Sequence, residues 1–342
     1  MWPYLLTSTL ILGAALVMGA MWAVQRVPRW EWASSTVLLT GGSVGIGLAT
    51  AEALARKQVP YLVIAARREA VLKEAVGQVE RVIEQCGSRT RVSYIVMDVS
   101  DEASVKAGVA QAVTQCEGRP INLLICNAGF AYPARFVDST MQHARHMMEV
   151  NYFGCLSVLW RVLPDMLSTK RGRVVLTSSM AARAPIAGYA LYSATKAGLR
   201  AFAHSLDMEN SCLGVRVQVV SPPDVETPGL VHENEVKSPE CVAISTFGGA
   251  TPFTSRAMAE AIVRGIEDYT FDITLGSDGL LLSYGSAGME PATSVGALFV
   301  QSIIGGALRL GLAIFSKLHY GIVKRVRVDN ASPGAQKTEK RD

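Results

Sequence analysis

The feature that most constrains this chain is an alternation. From Ser35 onward, short apolar runs with no polar face take turns with longer segments of helical periodicity. Residues 36–40, 61–66, 92–97, 121–126, 173–178, 215–220 and 271–275 read as strands. Residues 46–57, 69–86, 103–115, 140–167, 189–213 and 255–268 read as helices. Strands without polar alternation belong to a parallel sheet covered on both faces. The repeated strand–helix order therefore predicts an α/β domain over residues 34–280, built on a Rossmann-like, doubly wound parallel sheet. Residues 221–253 break the alternation. They are punctuated by proline, lack a clear period and are too long for an ordinary connection, so they read as a substrate loop or lid.

Four motifs fall at the ends of these strands. Thr40-Gly41-Gly42-Ser43-Val44-Gly45-Ile46-Gly47 follows the first strand and opens a helix. Its glycines permit a tight turn and close approach of a pyrophosphate, which the free N–H groups and positive dipole end of the helix attract. Ala65-Ala66-Arg67-Arg68 ends the second strand. A fold selective for NAD carries an acid there, bonded to the ribose 2′-hydroxyl. Two guanidinium forks suit a 2′-phosphate instead and point to NADP(H). Asp98, after the third strand, is placed either to bond the adenine amino group or to cap the next helix. Asn127-Ala128-Gly129 ends the fourth strand, where the Asn127 amide can brace the sheet beside the cofactor or simply make a turn.

The decisive motif is Tyr192 and Lys196, spaced i, i+4 on one helix face, with Ser179 thirteen residues before the tyrosine at the end of the fifth strand. Reducing a carbonyl sends hydride to carbon and a proton to oxygen. A phenol near pKa 10 is a poor partner at neutral pH. A neighbouring ammonium and an oxidised nicotinamide both favour the phenolate, so the expectation is a lowered Tyr192 pKa and a working acid. Ser179 can hold the carbonyl oxygen, and Lys196 can also grip the nicotinamide ribose. Asn151, in the long helix before the fifth strand, could hold a water that links Lys196 to solvent.

The remaining composition bears on where such a domain sits. Of 342 residues, 49% are hydrophobic and 18% charged, below the roughly 25% charge of soluble domains. A net charge of +4 gives no case for a nucleic-acid partner. Six scattered cysteines include no CxxC pair, so no metal site is supported and free thiols in a reducing compartment are expected. No charged side chain lies between Trp2 and Val24. That run reaches roughly 35 Å as a helix, against a hydrocarbon core of about 30 Å. Residues 1–25 therefore read as a membrane anchor rather than a cleaved leader. Arg26 and Arg29 after it place the catalytic domain in the cytosol, and Trp22, Trp30 and Trp32 suit an interfacial belt. Residues 295–308 and 310–322 are apolar but interrupted by Arg309, Lys317 and His319. Each piece is short for a straight crossing. A re-entrant hairpin or an in-plane amphipathic helix is expected over residues 290–323, with a buried helix at a homo-oligomer interface as the alternative. The basic polar tail, 324–342, suits an anionic leaflet.

In order and spacing, TGGSVGIG, NAG, Asn151, Ser179 and YSATK resemble the short-chain dehydrogenase/reductase superfamily over residues 36–279. The resemblance implies a sheet of about seven strands and a catalytic tetrad at Asn151, Ser179, Tyr192 and Lys196. It implies NADPH/NADP+ contacts from Gly41, Ser43, Gly45, Ile46, Gly47, Arg67, Arg68, Asp98, Val99, Asn127 and Thr227, as well as Tyr192 and Lys196. PPDVETPGLVHEN and LGSDGLLLSYGSAGMEPATS, with the apolar segments at both ends, resemble more closely the branch that reduces 3-ketodihydrosphingosine. Pro223, where the wider superfamily has glycine, is shared by that branch. This resemblance implies a long-chain keto sphingoid base as substrate and the endoplasmic reticulum membrane as location. Leu230, Val231, Val242, Ile244 and Phe247 would line the chain groove, and Glu226 or Asp224 would meet the substrate ammonium. The alternative is a membrane-bound reductase for steroid, retinoid or 3-ketoacyl substrates.

Overall fold

The apolar runs pair into the sheet that their alternation predicts. The computed structural model describes residues 27–249 and 251–331, with Met18, Gly19, Met21 and Val24 ahead of them. The expected anchor over residues 1–25 and most of the basic tail lie outside the described residues, as does Trp22.

Strands β1 (Thr36–Thr40), β2 (Tyr61–Ala66), β3 (Arg91–Val96), β4 (Leu123–Cys126), β5 (Gly172–Thr177) and β6 (Val215–Val220) form the sheet with a short β9 (Asp272–Ile273). Their spatial order is β3-β2-β1-β4-β5-β6-β9, all parallel. Two-residue strands β7 (Val225–Glu226) and β8 (Phe253–Thr254) pair separately, at the two ends of the lid. Strand order reverses between β1 and β4, which opens a crevice at their carboxyl ends.

Adjacent strand residues point to opposite faces. Leu38, Val63, Ile95, Leu124 and Leu176 pack on one face with α3 (Glu102–Gln115), α5 (Gly154–Ser168) and α6 (Ala190–Asn210). Leu39, Leu62, Ile64, Ile125 and Val175 pack on the other with α1 (Gly45–Arg56), α2 (Glu69–Cys86) and α9 (Ser255–Asp268). Both layers exclude water, which is why the strands lack a polar side.

Four expectations change. The long helix over 140–167 is broken: α4 (Met141–Met148) and α5 are joined by one π-helical turn, Glu149–Phe153, which contains Asn151. The lid is not irregular, since Thr227 caps α7 (Pro228–Val236) and Ser238 caps α8 (Pro239–Ser245). Trp30 is no belt residue. It is buried in the core, and its indole N–H donates to Ser35 Oγ at 2.9 Å; Trp32 packs against the same cluster. The two apolar C-terminal pieces are not a hairpin either. After α10 (Gly276–Gly285), a continuous α11 (Val295–Ala331) carries Arg309 and Lys317 within it. Two apolar pieces joined by a long charged side chain keep every helical hydrogen bond, because such side chains can reach water from a helix surface.

α11 has two faces. Leu308 and Leu312 pack against Gly285, Phe315 lies 6.1 Å from Phe247 between ring centroids, and Arg327 pairs with Glu240 at 3.0 Å. Phe299, Ile303, Leu310, Ile314 and Leu318 lie on the opposite face and are exposed. Val295–Val328 is long and apolar enough to cross a membrane, with a mean hydropathy of 1.8 in its most apolar window.

Candidate active site

Strands β1 to β6 each deliver a cleft residue just past their carboxyl ends. Gly41 follows β1, Arg67 follows β2, Asp98 lies two residues past β3, Asn127 follows β4, Ser179 lies two residues past β5, and Pro222 lies two past β6. All line one cleft of about 1320 Å³.

The Gly-rich turn is held from beneath. Asn127 Nδ2 donates to the Gly41 carbonyl at 3.1 Å, and Thr40 Oγ1 accepts from the Asn127 and Ala128 N–H groups at 3.2 Å each. Asn127 is thus the brace foreseen from its position. A Cβ on Gly47 would stand 2.0 Å from the Gly41 carbonyl oxygen, so only glycine lets α1 start this close to the turn. Gly45 has φ +57° and packs on Thr227, which couples the turn to the lid. Gly45 and Gly47 therefore shape the turn without lining the cleft, while Gly41, Ser43, Ile46, Val99 and Thr227 line it. No side chain caps the first N–H groups of α1, which leaves them for an anion.

Arg67 and Arg68 lie exposed along the same cleft, and among the described residues neither makes an ion pair. Asp98 is not the cap of α3; Asp101 is, accepting from the Ala103 N–H at 2.9 Å. Asp98 Oδ1 instead takes the Ser100 N–H and hydroxyl at 2.9 and 2.6 Å. Burial raises its carboxyl pKa, and the Ser100 hydrogen bonds and Arg67 more than reverse this, so Asp98 sits below its ordinary value.

At the chemical end, Tyr192 and Ser179 both line the cleft, and the Ser179 hydroxyl accepts the Ala181 N–H at 3.1 Å. Lys196 Nζ lies 5.8 Å from the Tyr192 ring centroid and donates to the Thr177 carbonyl at 2.8 Å. Burial pushes the Tyr192 phenol well above its ordinary value, Glu233 adds to the rise, and the Ser179 hydroxyl opposes it. The lowering expected from Lys196 does not occur in the protein alone. Nζ is turned toward Thr177, and burial lowers the pKa of the ammonium itself.

Asn151 is fixed through its side-chain amide. Its amide donates to the Phe130 carbonyl at 2.9 Å and to Thr195 Oγ1 at 3.1 Å, and its Oδ1 accepts the Phe130 N–H at 2.9 Å. Both amide hydrogens are used, and Oδ1 keeps a second lone pair that can accept from a water. The side chain also locks the strand extension at Gly129-Phe130. A Cβ on Gly129 would lie 3.0 Å from Asn151 Oδ1 and 3.1 Å from Lys196 Nζ, so glycine there lets the two approach.

The substrate side differs from the sequence reading in detail. Leu230, Ile244 and Phe247 line the cleft as foreseen, whereas α7 and α8 turn Val231 and Val242 outward to 63% and 41% exposure. Phe315 and His319 of α11 join the wall from outside the lid. Asp224 lines the cleft; Glu226 is exposed and lends only its carbonyl, to Ser255 Oγ. Two residues with no earlier reading complete the site. Tyr189, three residues before Tyr192 and 5.4 Å from it between ring centroids, donates its hydroxyl to Glu233 Oε2 at 2.7 Å. The i, i+3 spacing of the tyrosines was visible in the sequence, but nothing there set Glu233 apart from its neighbouring acids.

A family model described as short chain dehydrogenase matches residues 35–237. The chain belongs to the short-chain dehydrogenase family. It is 32% identical over 296 residues to the 3-ketodihydrosphingosine reductase of Bos taurus, covering 86% of this chain and 87% of that one. It is 31% identical over 298 residues to the enzyme of the same name from Mus musculus, covering 87% and 88%. Among solved structures, a short-chain dehydrogenase from Sphingobium yanoikuyae in complex with NADPH superposes with a TM-score of 0.59 at 25% identity, over 70% of this chain and 87% of that one.

Proposed function

We propose that this short-chain dehydrogenase uses NADPH to reduce the 3-keto group of a long-chain sphingoid base, giving the 3-hydroxy product. The observation that carries the reading is one continuous cleft. It joins Arg67 and Arg68, Tyr192 and Ser179, and an apolar wall drawn from both the lid and α11. The relatives named for this activity span nearly the same length, and the superposed dehydrogenase carries NADPH.

The residues present fit that dinucleotide. The uncapped start of α1 would take the pyrophosphate, Arg67 and Arg68 the 2′-phosphate, Asp98 Oδ2 the adenine, and Lys196 the nicotinamide ribose. When bound, NADPH supplies the hydride and leaves a cationic ring that favours the phenolate. Ser179 holds the substrate carbonyl oxygen and orients it toward Tyr192. The Tyr192 hydroxyl gives its proton to that oxygen as the carbon accepts hydride, which turns the ketone into an alcohol and leaves a tyrosinate. Lys196, buried beside the ring, keeps a positive charge near that tyrosinate.

The same reading places the catalytic domain on the cytosolic face of the endoplasmic reticulum membrane. The outward face of α11, with Phe299, Ile303, Leu310, Ile314 and Leu318, suits contact with lipid, while its inward face offers Phe315 to the cleft. A chain that partitions into the bilayer then reaches Tyr192 along one wall. Purified full-length protein in detergent is expected to oxidise NADPH fastest with 3-ketodihydrosphingosine. An equal or faster rate with a steroid, retinoid or 3-ketoacyl substrate refutes the assignment. Protease added to sealed microsomes is expected to digest the catalytic domain, and protection would put it on the lumenal side.

A further inference from the structure

Resting on the function proposed above, we infer that Glu233 is the residue that selects the 2-ammonium group of the substrate, working from the lid rather than from the sheet. A sphingoid ketone carries its amine on the carbon next to the carbonyl. Once that carbonyl is held by Tyr192 and Ser179, the ammonium is fixed within one carbon of the reacting centre. A counter-charge must then come from a group beside Tyr192.

Glu233 meets that requirement. It lies on α7, lines the cleft, and is tied by the 2.7 Å hydrogen bond to Tyr189, whose ring stacks 5.4 Å from that of Tyr192. Tyr189 is buried at 6% exposure, so the carboxylate is anchored at the N-cap of the helix that carries the acid. Among the described residues no cation lies within ion-pair distance of Glu233. Lys237, one turn further along, sits over the Tyr189 ring at 5.9 Å instead. One carboxylate oxygen is spent on Tyr189 and the other remains for a charged donor. Asp224 also faces the cleft and its charge acts on both tyrosines, but among the described residues no hydrogen bond ties it to either; Glu226 is exposed and does not line the cleft.

The test compares two ketones of equal chain length, 3-ketodihydrosphingosine and the same molecule lacking the amine, with NADPH binding measured in parallel to confirm folding. The wild-type enzyme is expected to prefer the amine by at least tenfold in kcat/KM. In Glu233→Gln the preference should disappear through a rise in KM for the amine substrate, so that the kcat/KM values of the two ketones become about equal. Retention of the preference in Glu233→Gln overturns the inference and leaves the proposed function standing. A wild-type enzyme that reduces neither ketone sinks the function itself. Should Glu233→Gln fail to bind NADPH, Glu233→Asp is read instead: it keeps the charge but draws it back by one methylene. A preference at least threefold weaker supports the assignment, and an unchanged preference overturns it.

Discussion

The cofactor half of the cleft and its substrate half are held in place by different means. The first stands on β1, β2 and β4, which are buried on both faces, and on the edge strand β3, and the turn after β1 is locked by backbone and Asn127 hydrogen bonds. The second is hung from side-chain charges. Glu240 in α8, only 1% exposed, holds Arg135 and Arg327 and so ties the lid to both the β4 loop and α11. Arg183 holds Asp272 and Glu290, and Arg200 also pairs with Glu290, which fixes the segment before α11. A sheet end changes little when a ligand arrives, whereas a lid tied by a few ion pairs can open without disturbing the core. The difference separates a rigid site for a dinucleotide from an adjustable one for a long chain.

Breaking the chemistry where the halves meet should have the largest effect. Tyr192→Phe removes the proton donor and is expected to lower kcat by about 10²–10⁴-fold, with NADPH binding, followed by fluorescence titration, nearly unchanged. Survival of the rate would remove Tyr192 from its role. Next comes the rigid half. Replacing Arg67 and Arg68 together by alanine removes charge-assisted contacts worth about 1.5–3 kcal/mol each. The ratio of NADPH to NADH affinity should fall at least tenfold, without loss of thermal stability, and a constant ratio would discard the 2′-phosphate reading.

The adjustable half should respond more weakly and in stability as well as activity. Glu240→Gln takes from Arg327 its partner and leaves Arg135 with only the more distant Asp138, at 3.9 Å. Because Arg135 and Arg327 are 36% and 59% exposed, water screens part of the loss, and about 1–2 kcal/mol is expected from thermal unfolding. The smallest and most graded effect is that of acid. Burial raises the Glu240 carboxyl pKa, and its bonds to Arg135 and Arg327 bring it down from 4.5 to about 2. A depressed folded pKa means that this stabilisation is complete above the unfolded value and is lost as pH falls from about 4.5 toward 2. Limited proteolysis of the lid should rise over that interval in wild type and stay flat in Glu240→Gln. Equal acid sensitivity in both would relieve Glu240 of this duty.

The sequence by itself determined the sheet, because a strand buried on both faces leaves an unbroken apolar run and its flanking glycines mark the turn. It also put Tyr192 and Lys196 on one helix face, and Arg67 and Arg68 at the strand end where the proposed 2′-phosphate site lies. Tertiary structure decided what depends on contacts between distant segments. The π-helical turn that seats Asn151 against Phe130, the burial that raises the Tyr192 pKa, and the pairing of Glu240 with Arg327 join residues 21 to 87 positions apart. The same holds for which lid residues face inward: a helix caps at Thr227 or Ser238 locally, but only its packing against the cleft and α11 chooses Leu230 over Val231 and Glu233 over Glu226.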